Sequence, residues 1–158
     1  MTRYEKKYVT RLLTVFLLAG LSMVTLSSLS SAATPKIGDS FNGGVVIYVD
    51  GTGQHGLIAA KADMTGSSGK GEGFFNWYGA KVAANKFLDG YCDWFLPNKE
   101  QLNQFYIHRS SVGGIVDTYY WSSSESDDNK AWAQDFSNGQ QLDGKKTNTS
   151  HVRPMRIF

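Results

Sequence analysis

The sequence predicts an α+β domain, and three observations carry that reading. Two short apolar runs flank a turn-rich stretch, two helical patterns follow, and the remainder breaks into short extended segments. In chain order, Val45 to Val49 and Leu57 to Ala60 are apolar, and the "DGTGQHG" between them is rich in turn formers, so the pair reads as a hairpin. "DMTGSSGKGEG" (63–73) has Gly or Ser at most positions and reads as a loop. "WYGAKVAANKFLDG" (77–90) places Val82, Ala83, Phe87 and Leu88 at helical spacing before Gly90 stops the pattern. "WFLPNKEQLNQFYIHR" (94–109) is a better-marked helix. Asn98 is the cap, Gln101 its capping-box partner, and Leu102, Phe105 and Tyr106 the apolar face. Pro97 sits just before the cap, where a missing N–H matters little.

After "SSVGGIVD" the chain turns to extended segments: "TYYWSSS", "AWAQDFS", "QQLDGKK" and "HVRPMRIF", with "SNG" as a tight turn between the second and third. Alternation in the second puts Trp132 and Phe136 on one side with Gln134 between them, and Ala131, Ala133 and Asp135 on the other. The aromatic content, including Trp77, Trp94, Trp121 and Trp132, supplies core material at roughly 150 to 250 Å² per ring.

The first 33 residues read as a secretory leader. "MTRYEKKYVTR" is basic, "LLTVFLLAGLSMVTL" is an apolar run shorter than the roughly 20 residues that span a bilayer, and Ser31 and Ala33 suit a cut before Thr34. A retained anchor is the competing reading. The product is therefore expected to be exported, to the periplasm, the cell surface or the medium, with no membrane span after cleavage. Residues 34–158 have the length of one domain. The leader holds Arg3, Lys6, Lys7 and Arg11 against Glu5, so its removal takes the formal net charge from +2 to −1. A globally basic binder of nucleic acid is not supported.

Cys92 is the only cysteine, so no intrachain disulfide forms, and its aromatic surroundings suggest a packed small side chain. His55, His108 and His151 lack zinc-ligand spacing, and no cofactor is implied. "YWSSSE" (120–125) lacks the G-x-S-x-G elbow of a serine nucleophile. It reads as a structural strand, with Tyr120 and Trp121 packed and its hydroxyls bonded to backbone near a turn. The acidic loop "ESDDN" offers Glu125, Asp127 and Asp128 as hard oxygen ligands for calcium, but without the spacing of an EF-hand it reads first as a solvated loop. Near the end, Lys145, Lys146, His151, Arg153 and Arg156 gather within a short span. Arg153 and Arg156 face opposite ways on a regular strand, so one is expected inside, paired bidentately with a carboxylate such as Asp93 or Asp135. The exposed members, with Lys145 and Lys146, can hold sulfate or carboxylate groups.

The blocks "GGVVIYVDGTGQHGLIAA", "GYCDWFLPNKEQLNQFY", "YWSSSE", "AWAQDFSNG" and "HVRPMRIF", in that order, resemble the bacterial domain family named for the C-terminal domain of the Legionella collagen-like adhesin. The resemblance covers nearly the whole chain after the leader. It implies a compact α+β domain akin to the C-type-lectin-like and sulfatase-modifying-factor folds, with two helices on a twisted antiparallel sheet. It also implies an adhesin-like binding module for sulfated glycosaminoglycans, trimeric in the protein that gives the family its name. The Gly-X-Y repeats that join three chains are absent from this sequence, so a homotrimer is unsupported. "LPN" has no acid before its proline, and one cysteine stands where formylglycine-generating enzymes use a pair, so neither a sugar-coordinating calcium nor that oxidase chemistry is implied.

The expectation is a non-enzymatic exported module recognising a sulfated or otherwise anionic glycan through Lys145, Lys146, His151 and Arg156. Trp94, Pro97, Tyr120, Trp121, Trp132, Phe136 and Arg153 are expected to be structural. The alternatives are an enzyme acting on an envelope polymer, or a structural component of a surface assembly.

Overall fold

The computed structural model describes residues 33–66, 73–86 and 88–158. The predicted leader, apart from Ala33, lies outside the described residues, as do most of the Gly/Ser-rich loop and Phe87.

Tight turns set up the first sheet. Asn42 and Gly43 have φ of 44° and 87°, the left-handed pair of a two-residue hairpin turn, and they join β1 (Ser40–Phe41) to β2 (Gly44–Val49). β2 returns antiparallel as β3 (Gly56–Ala60), the hairpin read from the sequence. Asp50 shapes the connection between them. Its carboxylate accepts the Thr52 hydroxyl at 2.7 Å and the Thr52 N–H at 3.0 Å, and these bonds, the hydroxyl's first, hold its carboxyl below the usual range. A Cβ at Gly44 would stand 2.3 Å from the Ala59 carbonyl oxygen, so only glycine fits there.

Two helices follow. α1 (Trp77–Ala84) is capped by Asn76, whose side chain accepts the Gly79 N–H at 2.9 Å. Its buried residues are Trp77, Ala80, Ala83 and Ala84, whereas Val82 is 71% exposed. The expected apolar face is thus corrected: small alanines, not Val82, face inward, because they let the helix approach the Trp121 ring closely. The helix also ends short of Gly90, and Asp89 and Gly90 (φ 49° and 87°) instead turn Leu88 back onto Tyr91. α2 (Lys99–Ile107) has the predicted capping box. The Asn98 side chain accepts the Gln101 N–H at 2.8 Å, and Gln101 Oε1 accepts the Asn98 N–H at 2.8 Å. Leu102 and Phe105 point into the core.

The C-terminal half is an antiparallel meander of β5 (Tyr119–Glu125), β6 (Lys130–Asp135) and β7 (Gln141–Lys145). β5 shifts register between Trp121 and Glu125, and serine hydroxyls organise the irregularity. Ser122 Oγ donates to the Trp132 carbonyl at 2.8 Å, and Ser124 Oγ accepts the Lys99 N–H at 3.0 Å, which ties the strand to the start of α2. Both faces of β6 are covered: Ala131 and Ala133 pack toward α1, while Gln134 and the following Phe136 are fully buried. Trp132 is only half-buried, with the Lys99 ammonium 3.2 Å above its ring centroid, so it sits at the rim of the core.

The chain does not close as one continuous sheet. β4 (Phe75–Asn76) pairs with β8 (Thr149–Ser150), and β9 (Met155–Ile157) joins the first hairpin in the order β1-β2-β3-β9. One face of that sheet packs Ile47, Leu57, Ala59 and Met155 against Leu102, Phe105, Tyr120 and Phe136. On the other, Ile58 and Ala60 meet Trp94, whose indole N–H donates to the Leu88 carbonyl at 3.0 Å. Among the described residues, no helix is long and apolar enough to cross a membrane.

The Phe136 ring is fully buried, 4.4 Å from Tyr120 and 5.0 Å from Phe105 between centroids. Phe136→Ala is expected to remove about 3 to 5 kcal/mol of stability in urea unfolding. Val82→Glu, on the exposed side of α1, is expected to change it by less than about 0.5 kcal/mol.

Candidate functional site

The loop after β5 and the turn after β7 meet beside the start of α1. In the first, Asp127 Oδ1 accepts the Asn129 N–H at 2.7 Å, and the Ser126 N–H donates to the Lys130 carbonyl at 3.0 Å, so the acidic loop is folded by its own side-chain and main-chain bonds. Lys146 joins the three pieces. Its N–H donates to the Asn129 carbonyl at 2.8 Å, and its carbonyl accepts the Trp77 N–H at 3.0 Å. Its ammonium donates to the Glu125 carboxylate and to the Asp128 carbonyl oxygen, the latter at 2.8 Å, and lies 4.8 Å from the centroid of the Trp77 ring. The Glu125 carboxylate raises the Lys146 pKa above its usual value.

Around this junction lies a shallow depression of ≈ 580 Å³ lined by Tyr78, Asp127, Asp128, Lys130, Lys145 and Lys146, among others. Tyr78 is 57% exposed, which leaves a ring face open. Lys130 is 3.3 Å from Asp143, and its hydrogen bond holds that carboxyl below the usual range. With Lys146 on Glu125 and Lys130 on Asp143, Lys145 is the lining lysine left to meet a ligand. Among the described residues, no three His, Cys, Asp or Glu side chains converge as a metal site. Of the calcium candidates, Glu125 binds Lys146 and Asp127 caps its own loop through their carboxylates, whereas Asp128 reaches Lys146 through its main-chain oxygen.

The four basic candidates do not form one patch. Lys145 is exposed, whereas Lys146 is buried in its ion pair. His151 is half-buried, with Nδ1 3.5 Å from Asp63 and its ring 4.4 Å from that of Phe74. Arg156 is 7% exposed. The expectation that only one of Arg153 and Arg156 lies inside is corrected: both do, because the sheet that β9 enters is covered on both faces. Arg156, expected to meet a ligand, instead grips Asp93, one of the two candidate carboxylates, bidentately at 2.5 and 2.9 Å and stacks 3.7 Å from the Tyr91 ring. Arg153 takes Asp63, which was not foreseen, at 2.5 Å, and also donates to the carbonyls of Ala60 and Gly114. Asp63 also accepts the Tyr120 hydroxyl at 2.8 Å, and burial pushes the Tyr120 pKa far up. Asp135 instead folds the turn at Ser137.

A family model described as the Lcl C-terminal domain matches residues 55–156. The chain belongs to this family. The match runs from the first hairpin's return strand to Arg156 and so takes in the depression, both helices and both buried arginines, while β1 and β2 precede it. No curated protein matches the chain.

In this Lcl C-terminal domain the hydroxyl and the thiol with nucleophilic potential lie in opposite settings. Ser122 is fully buried with its hydroxyl on a carbonyl, in keeping with a structural strand. Cys92, expected to be packed, is exposed, because its neighbours Tyr91 and Trp94 take the inward positions against Arg156. The sequence reading missed Tyr78 and Lys130 as site residues. The signal for Tyr78 was its place four residues before Val82, on the face of α1 opposite the alanines.

The Arg156 hydrogen bonds hold the Asp93 carboxyl below 3.8. A depressed carboxyl stabilises the fold fully above its unfolded value, and that contribution is lost as pH falls through the folded one. The melting-temperature gap between the protein and Asp93→Asn is therefore expected to be constant near neutrality and to shrink below about pH 4.

Proposed function

We propose that this chain is a non-enzymatic binding module of an exported surface protein, built on a C-type-lectin-like plan, which holds an anionic glycan in the depression beside α1. The observation that carries this reading is the pairing of an open ring face, Tyr78, with an exposed ammonium, Lys145, on the rim of one depression. Sugar rings stack on aromatic faces through their C–H groups, and a sulfate or carboxylate substituent takes an ammonium. Membership of a family named for the C-terminal domain of a surface adhesin supports a binding role. The burial of Ser122 and the absence of His151 from the partners of the acidic loop argue against hydrolytic chemistry there.

The lining holds Asp127 and Asp128 as well as Lys145, so the contact with a sulfated glycan is expected to be modest and salt-sensitive. Retention of the protein on heparin beads at low salt, weakening toward moderate salt, is the expected behaviour. Lys145→Glu and Tyr78→Ala are each expected to weaken binding of a heparin oligosaccharide by about 3- to 10-fold, and Lys145→Glu to flatten the salt dependence. If neither substitution changes binding, the depression is not the site.

A further inference from the structure

We propose that the depression carries its own cation: the Lys146 ammonium holds the loop after β5 in the place that a divalent metal would take among such oxygens, so the site works without one. This deepens the reading of the depression as a ligand site and rests on it for its functional meaning, but its structural half can be read with no ligand present.

The loop "ESDDN" has the composition of a cation-binding loop, rich in carboxylate and carbonyl oxygens. Two of those oxygens, a carboxylate oxygen of Glu125 and the main-chain oxygen of Asp128, converge on Lys146 Nζ. The π face of Trp77 covers another side of the ammonium. The Lys146 side chain is 5% exposed, and its main chain is fixed on both sides, to Asn129 and to Trp77. The cation is therefore covalently supplied and anchored, and a metal ion would have to expel it against like charge and several hydrogen bonds. Glu125 also keeps Lys146 charged: a raised lysine pKa means that its contribution is fully present below 10.5 and is lost only as pH rises through the higher folded value. The three pieces that this one side chain joins are the walls of the depression, so it acts as a positioning residue for Tyr78 and Lys145.

The test uses the purified full chain. Its melting temperature is expected to be the same, within about 1 °C, in excess calcium, in excess magnesium and in EDTA, since an ion binding only the folded state would raise it. A rise of several degrees with calcium, or a fall with EDTA, overturns the proposal. Lys146→Met keeps the apolar stem and removes the charge, and it is expected to lower the melting temperature by about 5 °C and to speed proteolysis at residues 126–129. Glu125→Gln, which leaves the lysine in place, is expected to move both readouts in the same direction. The double variant is expected to be no worse than Lys146→Met alone, because the two substitutions remove one shared interaction. Unchanged melting and proteolysis in both single variants sink the proposal, and Lys146→Arg, which keeps the charge, guards against a general folding defect. Heparin-bead retention is expected to be equal in calcium and in EDTA. Retention lost only in EDTA refutes the built-in cation and leaves the glycan reading standing, whereas no retention in either refutes the glycan reading and leaves the melting data to decide this one.

Discussion

Main-chain hydrogen bonds made by residues 149–158 join widely separated parts of the chain. Thr149 and Ser150 pair with β4, and His151 exchanges bonds with Tyr119 and Trp121 of β5. The Val152 carbonyl accepts the Met64 N–H, and the Pro154 carbonyl accepts the Ala60 N–H. Met155 then bonds reciprocally with Phe95 while β9 completes the first sheet. Many main-chain polar groups of this buried segment thus have a partner from a distant stretch, as burial requires. Proline at 154 offers no N–H to satisfy.

The two arginines on this segment extend the same constraint to side chains. A guanidinium enters an interior only when its donors are met, and here Asp63 and Asp93 neutralise the charges while main-chain carbonyls take further N–H groups. Asp63 stands just after β3, Asp93 just before Trp94, and Gly114 in the loop after α2, so each arginine fixes the path of an otherwise irregular stretch. In a chain with few long elements and no disulfide, such fixed carbonyl-to-guanidinium contacts do the work that continuous sheet does elsewhere.

The same economy of charge shapes the candidate site. Its lysines and acids are mostly spent on one another: Lys146 with Glu125, Lys130 with Asp143, Asp127 with its own loop. What stays open to a ligand is a ring, one ammonium and a carboxylate, held by a framework whose conformation those internal pairs determine. Recognition by a few preset groups on a stiff loop loses little ordering entropy on binding.

Local chemistry was legible from the sequence because its causes lie within a few residues. The Asn98–Gln101 capping box, the hairpin around "DGTGQHG" and the "SNG" turn depend on side chains reaching their own neighbouring backbone, and they stand as read. The serines of "YWSSSE" were likewise readable as backbone partners. By itself, then, the sequence determined the α+β class, the α2 cap, the turns, Asp93 as one candidate partner for a buried arginine, and the family. Only the tertiary structure decided which face of α1 is buried, that both arginines lie inside, that Cys92 lies outside, and that Lys146 is buried against Glu125 and the Asp128 carbonyl. Each of these depends on what packs from dozens of residues away. Helical period marks more than one stripe on α1, and Trp121 selects the alanines. Strand alternation assigns two faces, and only the second covering layer makes both of them interior.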